Sequence, residues 1–195
     1  MRIGIIGTGS VATAPGQRFT DTGHTVVYGS RNPGENSVDQ AEAVRQSEVI
    51  VTAIPGAAVI PTLEAIGDEA LAGKIILDPS VPLTAEMTLL YPNDSLARRI
   101  QERFPDTYVM KTLNTVNVSM MIDPSVASPT MYLSGDDEQA KATVTQLLGD
   151  LGWAESNLLD LGGVATATGT EHAFFLFFGV FGALQSPAFV ISIAR

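Results

Sequence analysis

The stretch Arg2-Ile3-Gly4-Ile5-Ile6-Gly7-Thr8-Gly9-Ser10-Val11-Ala12 decides how the whole chain is read. Its first five residues are a short apolar run, the pattern of a strand buried on both faces of a parallel sheet. Gly7 to Ala12 fits G-x-G-x-x-A; a helix-like segment follows, and then a second strand, Thr25-Val26-Val27-Tyr28. Strand, glycine turn, helix and strand in this order form the first half of a dinucleotide-binding fold. Gly7 permits a tight turn, Gly9 lets the backbone approach a pyrophosphate, and Ala12 is small enough for the helix to pack on the strands. The pyrophosphate is expected with Thr8, Gly9, Ser10 and Val11, at the helix N-terminus, where free N–H groups and partial positive charge face it.

The end of the second strand selects the cofactor. NAD sites place Asp or Glu there to accept from the ribose 2′-hydroxyl. This chain has Gly29-Ser30-Arg31-Asn32 and no carboxylate. Arg31 can fork onto a 2′-phosphate and Ser30 can donate to it. Such a charge-assisted contact is worth about 1.5–3 kcal/mol. NADP(H) is therefore the expected cofactor; the bland alternative is a solvated loop arginine.

The 195 residues suit one domain with a sizeable core and a small appendage. The chain is 45% hydrophobic and only 16% charged, so some apolar surface is expected between subunits. A net charge of −10 and the lack of a basic cluster argue against nucleic acid as a partner. An anionic cofactor still fits, because screening over ~8 Å lets local groups outweigh the global charge. There is no cysteine, which excludes disulfides and thiol chemistry. A strand and its turn stand where a secretory signal would, so a cytoplasmic protein is expected. Ala173 to Ala194 carries no charge and is long enough for a membrane span. Gly179, Gly182 and Pro187 interrupt it, and a buried helix or subunit interface is the preferred reading.

Along the chain, the first helix is expected from Ser10, as N-cap, to Asp21 or Thr22, with Pro15-Gly16 inside it and no local reason for them. His24 reads as a surface histidine in a turn. Further expectations are a helix over 38–46, a strand over 48–54, a helix over 58–69, a strand over 74–78 and a helix over 94–104. Ile54 and Pro55 either pack against the adenosine half or simply end their strand. Pro79-Ser80-Val81-Pro82 shapes a rigid loop on the same edge, and Asp78 reads as a loop cap rather than a general base. A strand from Tyr108 is expected to continue through Asn117. In it Lys111 and Asn114 would fall on opposite faces, leaving Asn114, Thr115 and Asn117 to offer neutral hydrogen bonds near the nicotinamide. Later strands are expected over 130–133 and 158–161. Between them Asp136 would cap a helix running to Leu151, with Gln139 completing a capping box. No His/Asp/Ser or metal-ligand constellation stands out.

Several pieces together resemble one family: MRIGIIGTGSVA (1–12), GSRNP (29–33), VTAIPG (51–56), GKIILDPSVPL (73–83), VMKTLNTVN (109–117) and LSGDDEQAKATVTQLLGDLGW (133–153). They are similar to NADPH-dependent deazaflavin-coenzyme reductases and related dinucleotide-binding bacterial proteins. GSRNP also resembles the cytosolic domain of six-transmembrane metalloreductases. The resemblance implies a Rossmann-type, doubly wound, mostly parallel α/β sheet over 1–163 and a helical segment over 164–195. That segment would form a homodimer interface and a second-substrate pocket. It further implies that Thr8, Gly9, Ser10 and Val11 hold the pyrophosphate and that Ser30 and Arg31 hold the 2′-phosphate. Ile54 and the Pro79–Val81 loop would line the nucleotide, and Asn117 and Val118 would lie beside the nicotinamide. The candidate cofactor set is completed by Gly7, Asn32 and Pro55. Where these reductases often carry a lysine after the Ser-Arg pair, this chain has Glu35, and its tail lacks a deazaflavin motif. The expected activity is hydride transfer between NADP(H) and a deazaflavin, flavin or similar acceptor, which needs no protein nucleophile. Two alternatives stand beside it. One is a non-enzymatic NADPH-binding module. The other is a small imine or hydroxyacid dehydrogenase, which predicts a Lys or His at the nicotinamide carbon.

Overall fold

The computed structural model describes residues 1–193; residues 194 and 195, the end of the expected C-terminal segment, lie outside the described residues. Six short runs rich in Val and Ile pair as parallel strands: β1 (Arg2–Ile6), β2 (Thr25–Ser30), β3 (Val38–Asp39), β4 (Val49–Thr52), β5 (Ile75–Asp78) and β6 (Tyr108–Lys111). Their order is β3-β2-β1-β4-β5-β6. The chain thus starts in the middle of the sheet and winds outward in both directions, as dinucleotide-binding folds do. In register, Ile6 faces Gly29 on one side and Thr52 on the other, so the turns after β1, β2 and β4 open at one edge.

Helices cover both faces, which is why the strands alternate between two cores. Ile3 and Ile5 pack with Ala12 and Phe19 of α1 (Ser10–Asp21) and with Val144, Leu147 and Leu148 of α7 (Glu138–Asp150). Met120 and Met121 of the short α6 (Val118–Ile122) close that side, and the Trp153 indole donates to the Met121 carbonyl at 3.0 Å. Ile6, Ile50 and Ile76 point the other way, toward α2 (Gln40–Arg45), α3 (Gly56–Ile66), α4 (Asp68–Leu71) and α5 (Leu96–Arg103). Leu96 and Ile100 lie on the buried face of α5, and Phe104, just past its end, is buried beside them, as their spacing predicts.

α1 runs without a break through Pro15-Gly16. Gly16 has a packing reason: a Cβ there would sit 2.2 Å from the Tyr28 hydroxyl and 2.9 Å from Ile5, so the helix lies against the sheet at a point where no side chain fits. His24 is not a surface residue. Its side chain is largely buried, and Nε2 meets Asp150 of α7 at 2.9 Å.

Several boundaries differ from expectation for local reasons. Val38 and Asp39 pair with Gly29 and Ser30 as β3, and Asp39 then caps α2 by accepting from the Ala41 amide at 2.9 Å. Gly67, at φ 96°, divides the expected helix over 58–69 into α3 and α4. Asp137, not Asp136, caps α7, accepting from the Ala140 amide at 2.7 Å. Asp136 instead accepts from the Val164 amide at 2.9 Å. β6 stops at Lys111, since Leu113 has φ 64°, and the expected strand through Asn117 gives way to a turn and α6. β7 (Met131–Leu133) and β8 (Leu158–Asp160) form a separate parallel pair rather than extending the sheet. Its link to the main sheet is an antiparallel bridge between Lys111 and Ser134.

α8 (Ala167–Leu184) is neither a buried helix nor a helix over all of the chargeless stretch. It ends where Gln185 turns to φ 52°, so about 12 residues of that stretch are helical, roughly 18 Å. By length and composition Val164–Leu184 passes as a membrane span, yet Phe175, Leu176, Phe178, Phe181 and Leu184 face solvent and Glu171 is buried against the sheet domain.

Candidate dinucleotide site

The carboxyl ends of β1, β2, β4 and β5 frame a cleft made of two adjoining hollows. One, of about 390 Å³, is lined by Gly7, Thr8, Ser30, Arg31 and Asn32; the other, of about 340 Å³, by Ser10, Val11, Pro79 and Val81. Gly9, Ile54 and Pro55 line both, so the hollows meet at the start of α1. Twelve of the fourteen residues expected at the cofactor thus share one surface. Gln40, Thr52, Gly56, Ser80 and Met121 also line it. Thr52, Gly56 and Ser80 lie within the VTAIPG and GKIILDPSVPL pieces, whereas Gln40 and Met121 carry no motif that points to the cleft. A further hollow of about 420 Å³, beside Met1, Val49, Ile75 and Tyr108, lies at the amino ends of the strands. Parallel sheets bind ligands at the other edge.

The two fingerprint glycines differ in surroundings. Gly7 has φ +126°, and a Cβ on it would lie 2.2 Å from the Ala53 carbonyl oxygen, so the turn presses directly on β4. A Cβ on Gly9 would meet nothing within 4 Å. Gly9 is also the N-cap of α1, without a side-chain cap, and no acidic residue stands in the first turn. The first amides of a helix have no intrahelical acceptor, and together with the helix dipole they suit an anion. Ala12 is fully buried, as a helix lying close to the strands requires. At the far end, Arg31 is exposed at the rim. Arg2, Arg45, Arg98, Arg99 and Arg103 are ion-paired, whereas Arg31 has no such pair among the described residues. The Ser30 hydroxyl donates to the Asn32 carbonyl at 3.0 Å, which shapes the turn carrying Arg31. The structure therefore offers the cleft a cradle of bare backbone and one free guanidinium, which fits a pyrophosphate and a 2′-phosphate.

The wall after β5 is held from below. Asp78 is fully buried; its Oδ1 accepts from the Thr52 hydroxyl at 2.6 Å, the Ser80 hydroxyl at 2.6 Å and the Ser80 amide at 3.2 Å. It caps the loop, as its position predicts. Lys111 Nζ lies 2.8 Å from Asp78 Oδ2 and 2.9 Å from Glu171 Oε1, and also donates to the Ser80 carbonyl. Glu171 in turn accepts from the Leu96 amide at 3.0 Å, at the start of α5. Burial pushes the Lys111 ammonium down, but the two carboxylates outweigh it, and its pKa lies above the ordinary lysine value. Burial raises Glu171 above the usual carboxylate range, and Lys111 only partly offsets this. One ammonium serving two carboxylates accounts for both directions. Glu171 was missed because a single acid in an apolar helix has no pattern around it.

Asn117 and Val118 line neither hollow. The Asn117 carboxamide caps α6, accepting from the Ser119 amide at 2.7 Å and donating to the Pro187 carbonyl, and Val118 packs on the core. Asn114 donates to the Thr170 carbonyl at 2.9 Å, so it also faces α8. Lys111 holds the cleft wall from behind without lining it, and both histidines have partners elsewhere: His24 meets Asp150, and His172 the Thr168 and Pro92 carbonyls. A Lys or His at the nicotinamide carbon, as a dehydrogenase of imines or hydroxyacids would have, is thus not found among the described residues lining the cleft.

Comparison with known proteins agrees with this geometry. Residues 2–82 match the family model described as NADP oxidoreductase, coenzyme F420-dependent. A crystal structure from Arthrobacter sp. FB24, provisionally named an F420-dependent NADP reductase, superposes with a TM-score of 0.93 at 36% identity, covering 100% of both chains. The rat metalloreductase STEAP3 is 31% identical over 180 residues, which are 87% of this chain and 36% of that protein. The chain thus spans about a third of the length of the curated relatives it matches. A hypothetical protein from Sinorhizobium meliloti, at 23% identity and TM-score 0.69 over 85% of this chain and 87% of its own, shares the fold. The chain belongs to the NADP oxidoreductase family described as coenzyme F420-dependent.

Proposed function

We propose that this chain binds NADP(H) in the cleft and passes a hydride between its nicotinamide and a flat acceptor of the deazaflavin or flavin type. The observation that carries this reading is the pair of adjoining hollows that runs from Arg31, past Gly9 at the start of α1, to Val81 and Met121. When bound, the nicotinamide supplies the hydride. Amides at the start of α1 would hold the pyrophosphate, and Arg31 the 2′-phosphate. Ile54, Pro55, Pro79 and Val81 give flat apolar walls that orient rings and exclude water, which is the protein's share of such a reaction. Asn117 and Val118 would act indirectly, by seating α6 and its Met121. NADPH oxidation followed in parallel with a deazaflavin, FMN and a ferric chelate tests the reading. Turnover with a flavin-like ring and NADPH in preference to NADH supports it, and tight NADPH binding without turnover on any acceptor would leave a binding module instead.

A second copy of this chain is the proposed cover for α8. Five large apolar side chains facing solvent on one helix and its end exceed what isolated surface residues explain. The cytoplasm is the proposed location. Sedimentation of the purified chain distinguishes a dimer from a monomer, and flotation with vesicles tests a membrane as the cover instead.

A further inference from the structure

The end of the cleft bounded by β4 and β5 has a one-sided hydrogen-bonding character. The polar side chains that line this hollow are those of Ser10, Thr52 and Ser80. Ser10 belongs to the start of α1. Thr52 is 1% exposed and its hydroxyl donates to Asp78 Oδ1 at 2.6 Å, so it supports Asp78 from behind the surface. Ser80 is only half-buried. Each hydrogen that Ser80 could donate is taken: its hydroxyl donates to Asp78 Oδ1 at 2.6 Å and its amide to the same oxygen at 3.2 Å. The Ser80 carbonyl is taken as well, accepting from Lys111 Nζ. Asp78, ion-paired with Lys111 at 2.8 Å, is an acceptor, and this fixes the direction of the Ser80 proton. What Ser80 has left for the cleft is the lone pairs of Oγ. The loop is held so that it keeps this face: Pro79 and Pro82 stiffen it, and a Cβ on Gly56 would lie 2.5 Å from the Val81 carbonyl, so it rests on the start of α3.

We propose that Ser80 Oγ accepts an N–H of the nicotinamide carboxamide and so makes the cleft specific for a pyridine ring that bears a primary amide. This role rests on the hydride reading and names the residue that recognises the ring. Val81 and Met121 line the same hollow, so apolar surface takes the ring while Ser80 sets its rotation. An analogue without that N–H meets the same lone pairs with nothing to give. A site built around a hydrogen bond to its ligand discriminates against such analogues, because its own polar atom is left unpaired.

Two dinucleotide probes differ from NADP at this group alone. The 3-acetylpyridine analogue has a methyl group in place of the amide nitrogen, and the nicotinic acid analogue has a carboxylate. Calorimetric titration of the full chain should show the acetylpyridine analogue bound about threefold to tenfold more weakly than NADP, the size of one net hydrogen bond. The acid should bind more weakly still, since its charge faces an oxygen backed by Asp78. Ser80→Ala removes the acceptor. It should weaken NADP to the level of the acetylpyridine analogue, while the preference for NADPH over NADH, set at Arg31, stays as in the parent. Circular dichroism confirms that the variant is folded. A parent chain that binds NADP and the acetylpyridine analogue equally overturns the proposal without any variant, and so does a folded Ser80→Ala chain that keeps the discrimination. In either case the retained binding of NADP leaves the hydride reading standing. A parent chain that binds neither NADP nor its analogues removes both.

Discussion

Lys111 and Asp78 form an ion pair 2.8 Å long with both side chains wholly out of solvent. Asp78 uses its other oxygen to hold Ser80, and Lys111 donates to the Ser80 carbonyl, so the pair grips one wall of the cleft. Replacing Lys111 by Met would strand two carboxylates in the interior. Breaking a buried pair from one side costs about 3–5 kcal/mol. Urea unfolding of Lys111→Met should show a loss of that order, and Lys111→Met combined with Glu171→Gln should recover part of it. Loss below about 1 kcal/mol would mean the interior tolerates the uncompensated charges.

Glu171 gives stability a definite slope with pH. Its carboxyl in the folded protein titrates above the ordinary value of 4.5, owing to burial first and to Asp78 in smaller part. The folded state therefore holds a proton that the unfolded chain has released. Its contribution is complete below pH 4.5 and fades as pH rises toward the folded pKa. Relative to Glu171→Gln, the parent chain should lose stability on going from pH 4.5 toward neutrality. A difference that stays flat, or grows with pH, would contradict the assignment.

Arg31→Ala should weaken NADPH binding by at least about tenfold while leaving NADH nearly unchanged, because only the 2′-phosphate contact is removed. Fluorescence titration with both cofactors measures this. An equal loss for the two would place Arg31 elsewhere than at the 2′-phosphate.

The glycines of the opening turn should separate folding from binding. Gly7→Ala forces a Cβ to within 2.2 Å of the Ala53 carbonyl at φ +126°, a strain of roughly 1–3 kcal/mol or more. Its melting temperature should fall. Gly9→Val has open space, so its melting temperature should hold within a few degrees, whereas its side chain would fill the place of the diphosphate and abolish NADPH binding. Retained binding by a folded Gly9→Val variant would remove the diphosphate from this turn.

The first half of the chain was legible because its signals are local. Apolar runs of four to six residues, the turn glycines and the bare end of β2 each carry their meaning within a few positions. The cleft residues from Gly7 to Val81 follow from them. What lay hidden depends on distant partners. Lys111 reads as a strand residue until Asp78 and Glu171, 33 and 60 positions away, close around it. Gly16 makes sense only with Tyr28 beside it. The β7–β8 pair carries ordinary strand patterns, and nothing in them states that the bridge at Ser134 replaces full pairing with β6. Asn117 was drawn toward the nicotinamide by its neighbours in sequence, but capping α6 used its side chain first.

Lys111 belongs to three units at once: its backbone ends β6, its amide and carbonyl bridge to Ser134, and its side chain reaches α8 through Glu171. Mutational drift at this one position is therefore narrowly confined, since any replacement must satisfy the sheet, the outlying leaf and the tail helix together.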